Sequence, residues 1–220
     1  MKFLALALTL GFAGAAAASD FSSVGTTGVQ AIADYSYARS INTPYWDSTH
    51  VGLAGLQLNF GGLGSVAVEA GDTQRVTDFR LNYTTFAVGY ANGFHVGSIG
   101  IVGAVSYSEL TGDKWFLDNG NNSSLPISNG AATVEVNAPV TRAVKVFVDY
   151  GRTYAWSGNI NSFYKNAAVV TSAHGNDAAV GAYVDLSKRT CLAVGYTRGW
   201  SPTAGSPDTQ GVLVSLSYKL

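Results

Sequence analysis

Apolar and polar residues alternate singly over ten stretches of this chain. From 98 to 108, Ile99, Ile101, Val105 and Tyr107 share one side, and Gly100, Ala104, Ser106 and Ser108 the other. From 132 to 138, Ala132, Val134, Val136 and Ala138 oppose Thr133, Glu135 and Asn137. From 144 to 150, Val144, Val146, Val148 and Tyr150 oppose Lys145, Phe147 and Asp149. From 178 to 186, Ala178, Val180, Ala182, Val184 and Leu186 oppose Ala179, Gly181, Tyr183 and Asp185. Leu192, Val194 and Tyr196 face away from Ala193 and Gly195, and the chain closes on Val212, Val214, Leu216, Tyr218 and Leu220. A period of two is the mark of a strand with two unlike faces.

The N-terminal half repeats the pattern with less contrast. Val29, Ala31, Ala33, Tyr35 and Tyr37 oppose Gln30, Ile32, Asp34 and Ser36. Ala54, Leu56, Leu58 and Phe60 oppose Leu53, Gly55, Gln57 and Asn59, and Val66, Val68 and Ala70 oppose Ser65, Ala67, Glu69 and Gly71. Over 79–90 the parity changes, from Phe79, Leu81 and Tyr83 to Phe86, Val88 and Tyr90. A bulge near Thr84 and Thr85 accounts for that, and so does a strand leaving an apolar medium at that point.

These stretches predict an all-β, antiparallel, up-and-down transmembrane barrel of about ten strands, with eight as the main alternative count. Connections at 61–64, 91–96, 139–142 and 187–189 are short, whereas those at 40–49, 72–78, 111–130, 157–175 and 201–210 are mostly longer and polar. Membrane barrels pair short turns on one side with longer loops on the other. A soluble β-sandwich also alternates, but its wet face should carry Lys, Glu and Thr. Here the less apolar face is mostly Gly, Ala and Ser, which suits a confined lumen.

Composition strengthens this reading. Charged residues make up 12% of the chain, against about 25% in soluble domains. There are 26 glycines and 12 tyrosines, and the net charge of −1 offers no basic surface for nucleic acid. The single cysteine, Cys191, excludes an internal disulfide. Residues 1–19 read as a signal peptide: Lys2, then an apolar stretch, then Ala16, Ala17 and Ala18 at the cleavage positions. That stretch is shorter than the about 20 residues a spanning helix needs. Residues 20–220 then form a single barrel domain in the bacterial outer membrane, with both ends in the periplasm.

The chain resembles bacterial outer-membrane β-barrel proteins, most of all the small porin and opacity-type barrels. The most specific element is the last strand. In that family it carries a signal for the barrel-assembly machinery, which Val212, Val214, Leu216, Tyr218 and Leu220 match in alternation. Leu220 departs from the family's aromatic last residue. The resemblance also implies a homo-oligomer, trimeric in many porins.

Parity points Asp34, Glu69, Glu135, Lys145, Asp149, Asp177, Asp185 and Lys219 into the lumen. Such groups are either paired internally or line a wet, acid-biased passage. Lys145 and Glu135, on successive strands, are a candidate pair. The expected function is a small porin-like channel for ions or small hydrophilic solutes. The alternatives are a non-conducting barrel acting as adhesin, surface antigen or structural component, and, third, a lipid-modifying enzyme. No catalytic set emerges: His50, His95 and His174 are scattered, and no cofactor or metal site is expected. Three Tyr-x-Arg repeats, at Tyr37/Arg39, Tyr150/Arg152 and Tyr196/Arg198, place an arginine near the outer end of an upward strand on the lipid side. Arg39, Arg152 and Arg198 are therefore candidate contacts for outer-membrane lipid, specifically lipopolysaccharide phosphates. Trp46, Trp115 and Phe116 fall in the outer loops.

Overall fold

The computed structural model describes residues 25–41, 48–76, 80–112, 127–157, 172–200 and 208–220. The segment read as a signal peptide and the aromatics Trp46, Trp115 and Phe116 lie outside the described residues. Ten strands follow one another: β1 (Thr27–Ile41), β2 (Ser48–Phe60), β3 (Ser65–Val76), β4 (Arg80–Val96), β5 (Ile99–Gly112), β6 (Ile127–Pro139), β7 (Val144–Ser157), β8 (Ser172–Asp185), β9 (Thr190–Trp200) and β10 (Asp208–Lys219). Each pairs antiparallel with the next, and β10 returns to β1 to close the barrel. Closure runs from Gln30 opposite Lys219 to Ile41 opposite Asp208, and the Leu220 N–H donates to the Val29 carbonyl at 3.0 Å. The C-terminal segment is thus a seam strand, with Val212, Leu216, Tyr218 and Leu220 exposed on the outer face and Val214 half-buried there.

The register sets the barrel's dimensions. Partners followed around the sheet run Gly28, Asn59, Ser65, Ala91, Ala104, Thr133, Gly151, Asp177, Gly199, Thr209 and back to Ser40. The circuit returns to β1 displaced from position 28 to position 40, a shear of 12 residues. Ten strands at that shear tilt by about 40° and stand about 10 Å from the axis. This is wider than an eight-stranded barrel, whose interior side chains just fill it.

The two faces are reversed relative to a soluble protein. Outside stand exposed Leu56, Leu58, Val68, Phe86, Phe94, Val105, Val134, Val136, Val148, Val180 and Val194. Inside, buried, stand Gln30, Asp34, Gln57, Asn59, Glu69, Asn129, Glu135 and Asn137. An apolar belt of this extent meets lipid rather than water.

At one end the strands are joined by tight turns. In the first, Gly61 and Gly64 have φ of 65° and 92°, conformations that side chains rarely adopt, and Phe60 N–H bonds the Gly64 carbonyl at 2.8 Å. The Tyr90 hydroxyl donates to Leu63 O at 2.8 Å and ties this turn to the wall. In the last, the Ser187 hydroxyl accepts from the Arg189 and Thr190 amides at 3.1 and 3.0 Å.

Two expectations are corrected here. Pairing of β4 with β3 runs without interruption from Val76 opposite Arg80 to Ser65 opposite Ala91, so no bulge sits at Thr84 and Thr85. Asn82 and Thr84 simply take the outward side near the strand's end, and Tyr83 shares the inward side with Thr85 and Ala87. The 72–78 connection is also shorter than expected, because β3 runs to Val76 and β4 starts at Arg80. Polar strand ends beyond the apolar belt read as loop in a sequence.

Candidate functional site

The candidate site is the barrel interior. Toward the tight turns, one side of it carries an apolar cluster. Phe147 on β7 stands opposite Gly181 on β8, and its ring lies along the wall over Gly181 and Gly195. A Cβ on Gly181 would stand 2.5 Å from Phe147 Cζ, and one on Gly195 would stand 3.1 Å from it. The two glycines are therefore the floor on which the ring rests. Tyr183 packs beside it, with ring centroids 4.8 Å apart. Ala91, Val102, Ala104, Ala179 and Ala193 join the two rings in one buried cluster, with Cys191 and Leu213 at its edge. That cluster draws on β4, β5, β7, β8, β9 and β10, and so reaches across the lumen.

Tyr183 also anchors a carboxylate in this layer. Its hydroxyl donates to Glu135 Oε2 at 2.6 Å, and Asn137 Nδ2 donates to Glu135 Oε1 at 2.8 Å. The phenol reaches past β7 to β6 to make this bond. Tyr183→Phe keeps the ring and deletes the donor. It should lower stability by about 1.5–3 kcal/mol, the usual range for a hydrogen bond to a charged group. The urea midpoint of the folded band on a cold gel reads this, and an unchanged midpoint would show the bond to be dispensable.

Elsewhere the inward side is largely polar, beside a small apolar group of Val51, Leu53 and Ala87. Thr73 and Thr85 hydroxyls are 2.7 Å apart, and Gln57 Nε2 donates to Asn59 Oδ1 at 2.8 Å nearer the turns. Both Asn129 amide atoms and the hydroxyls of Ser108 and Thr197 are buried without a hydrogen-bond partner in the protein. Buried polar atoms of this kind are ordinarily met by water.

The eight residues assigned to the lumen from parity do not form one constellation. Asp34, Glu69 and Glu135 are buried on the inward side, and Lys145, Asp149 and Asp177 are half-buried there. Asp185 and Lys219 are exposed at the turn end. Asp149 Oδ1 accepts the Ala179 amide at 2.8 Å, and the Asp177 carboxylate lies over Gly151. The register places Glu135 opposite Asp149, whereas Lys145 stands opposite Pro139. The residue set beside Glu135 is therefore Tyr183 and Asn137, which strand alternation alone does not reveal. The only sequence signal for it was the presence of two bulky side chains on an otherwise small-residue face.

On the outer face, the three arginines stand exposed near the ends of β1, β7 and β9. His50 lies beside Arg39's strand, where its Nδ1 is 2.8 Å from the Tyr35 hydroxyl and its ring is 4.9 Å from that of Tyr37. His95 is exposed near a tight turn, far from His50. The His174 side chain lies outside the described residues.

No protein-family model matches the chain, and no curated protein matches it in sequence. Solved structures do match. The translocator domain of autotransporter NalP from Neisseria meningitidis aligns over 100% of this chain and 98% of its own, with a TM-score of 0.57 and 12% identity. An outer membrane channel from Pseudomonas putida aligns over 92% and 98%, with a TM-score of 0.59 and 8% identity. The beta domain of the Bordetella autotransporter BrkA aligns over 88% and 99%, with a TM-score of 0.52 and 12% identity. The chain has the fold of the bacterial outer-membrane β-barrels.

Proposed function

We propose that the protein is a non-catalytic barrel of the bacterial outer membrane whose lumen is closed at rest, acting as a membrane-embedded scaffold that displays its longer connections at the cell surface. One observation carries this reading. Phe147 and Tyr183 keep only 3% and 2% of their surface accessible to solvent. A water-wide passage beside either ring would leave that ring wet. Small wall residues do not keep a lumen open when the Phe147 ring lies over Gly181 and Gly195 with Tyr183 packed against it.

A second reading, porin-like diffusion of small solutes through an acid-biased lumen, draws on the buried polar residues. Asn129, Ser108 and Thr197 are buried without hydrogen-bond partners in the protein, which favours internal water. On this reading Phe147 and Tyr183 are a constriction rather than a plug. Purified protein in planar bilayers separates the two. The closed reading expects no openings above background. Regular openings whose cation preference falls when Glu135 and Asp149 are neutralised would establish the second.

A further inference from the structure

Outward-facing charge at the long-connection end is unevenly divided around the barrel. Arg39, Arg198 and Arg152 stand on β1, β9 and β7, alternate members of the consecutive run β7, β8, β9, β10 and β1. Across the barrel, Asp72 on β3 and Glu109 on β5 face outward at the same end. Among the described side chains, one arc carries three arginines against the single carboxylate of Asp208 on β10, and the opposite arc carries two carboxylates.

The basic arc is built in register. Arg39 stands opposite Gln210, and Gln210 opposite Arg198. Arg152 stands opposite Asn176, which stands opposite Trp200. At the strand spacing and shear of this barrel, neighbouring arginines are about 10–12 Å apart along the sheet and all three fall within about 7 Å of height. Below each, two residues toward the tight turns on the same face, is a tyrosine: Tyr37, Tyr196 or Tyr150. The Tyr150 hydroxyl donates to Asn176 Oδ1 at 3.1 Å. The Gln210 amide donates to the Tyr196 hydroxyl at 3.1 Å and accepts from Arg39 Nε and Nη2 at 2.9 and 2.6 Å. The phenols thus end the apolar belt and the guanidinium groups begin just above it.

Two of the guanidinium groups are held by uncharged neighbours. Arg39 is fixed by a neutral amide, and Arg152 lies 5.3 Å over the Tyr154 ring. Arg198 is 3.7 Å from Asp208, a loose pair with Arg198 still 58% exposed. An arginine at the interface costs only about 0–1 kcal/mol, and its planar fork matches phosphate oxygens.

We infer that the arc formed by Arg39, Arg152 and Arg198 binds the phosphates of lipopolysaccharide lipid A, on one side of the barrel only. The inference rests on the outer-membrane reading above, which puts the long-connection end in the outer leaflet. Phosphate charge is drawn to the three arginines and repelled by Asp72 and Glu109. Lipid is therefore retained in a patch spanning β7 to β1 and not as a full annulus.

Native mass spectrometry of delipidated, refolded protein in detergent tests this with three probes: bisphosphorylated lipid A, dephosphorylated lipid A and inorganic phosphate. Wild-type protein should retain the bisphosphorylated lipid, and the Arg39→Gln/Arg152→Gln/Arg198→Gln variant at least tenfold less. Asp72→Asn/Glu109→Gln should retain as much as wild type or more. Equal retention of dephosphorylated lipid A would overturn the inference, as would full retention by the arginine variant. Displacement by millimolar phosphate alone would assign the arc to free phosphate instead. A salt-sensitive dimer abolished by Asp72→Asn/Glu109→Gln would assign it to a second copy of this chain. Heat-modifiable gel migration is run on the same samples. If wild type does not shift, the barrel reading fails; if it shifts and retains no lipid A, only this inference fails. If the triple variant does not shift, the three single Arg→Gln variants, each expected to lose lipid, replace it.

Discussion

Valine at both Gly55 and Gly71 should sharply reduce the yield of folded barrel, while valine at Gly52 or Gly103 should leave it intact. Gly55 on β2 and Gly71 on β3 both take the inward side. There the wall turns so sharply that a Cβ on Gly55 would overlap the Val68 carbonyl oxygen and lie 2.7 Å from Glu69 Cα. A Cβ on Gly71 would overlap the Gly52 carbonyl oxygen and lie 2.9 Å from Leu53 Cα. These are backbone atoms of the same β2–β3 seam, so neither can withdraw without breaking the ladder. Overpacking usually costs about 1–3 kcal/mol per site. Two sites on one seam therefore remove about 2–6 kcal/mol, from a total that in small domains is only about 5–15 kcal/mol. Outward Gly52 and Gly103 have nothing within 4 Å of an added Cβ. Valine there meets lipid and suits a strand. The folded, fast-migrating fraction after refolding reads the result, and a normal yield of the double variant would refute the bend.

Phe147→Ala should be the costliest single truncation in the interior. It removes a ring that is 3% exposed and leaves Gly181 and Gly195 facing a void. The floor of the void is glycine, so no side chain rises from beneath to fill it. Loss of a buried phenylalanine costs about 3–5 kcal/mol. The urea midpoint should therefore fall further than for Tyr183→Phe, which removes one hydrogen bond and no volume. Equal shifts would mean that the ring is not the keystone of the apolar layer.

Much of this was legible in alternation alone. The inward and outward sides of every strand follow from period two, because a pleated strand in a barrel has no other way to separate lipid from lumen. Asp34, Glu69 and Glu135 were placed inward on that basis, and the three arginines outward. Strand ends were less legible. Asn82 and Thr84 continue β4 past the apolar belt, and the shift to polar residues there imitates a change of phase.

What covers the inward glycines was not legible. Abundant Gly, Ala and Ser on the inward side suggested open space. Yet Gly181 and Gly195 matter because Phe147, 34 positions before Gly181 in sequence, lies over them. Tyr183 likewise crosses a strand to reach Glu135. Both contacts depend on register between strands, and a single strand's pattern carries no register information.

Planar-bilayer recordings of wild type beside Phe147→Ala/Tyr183→Ala test the closed lumen most directly. The variant is first shown to migrate as a folded, heat-modifiable barrel. The account predicts a silent wild type and a variant with discrete openings that favour cations, because Glu69, Glu135 and Asp149 remain on the inward side. Openings in the wild type, or a folded variant as silent as its parent, would contradict it.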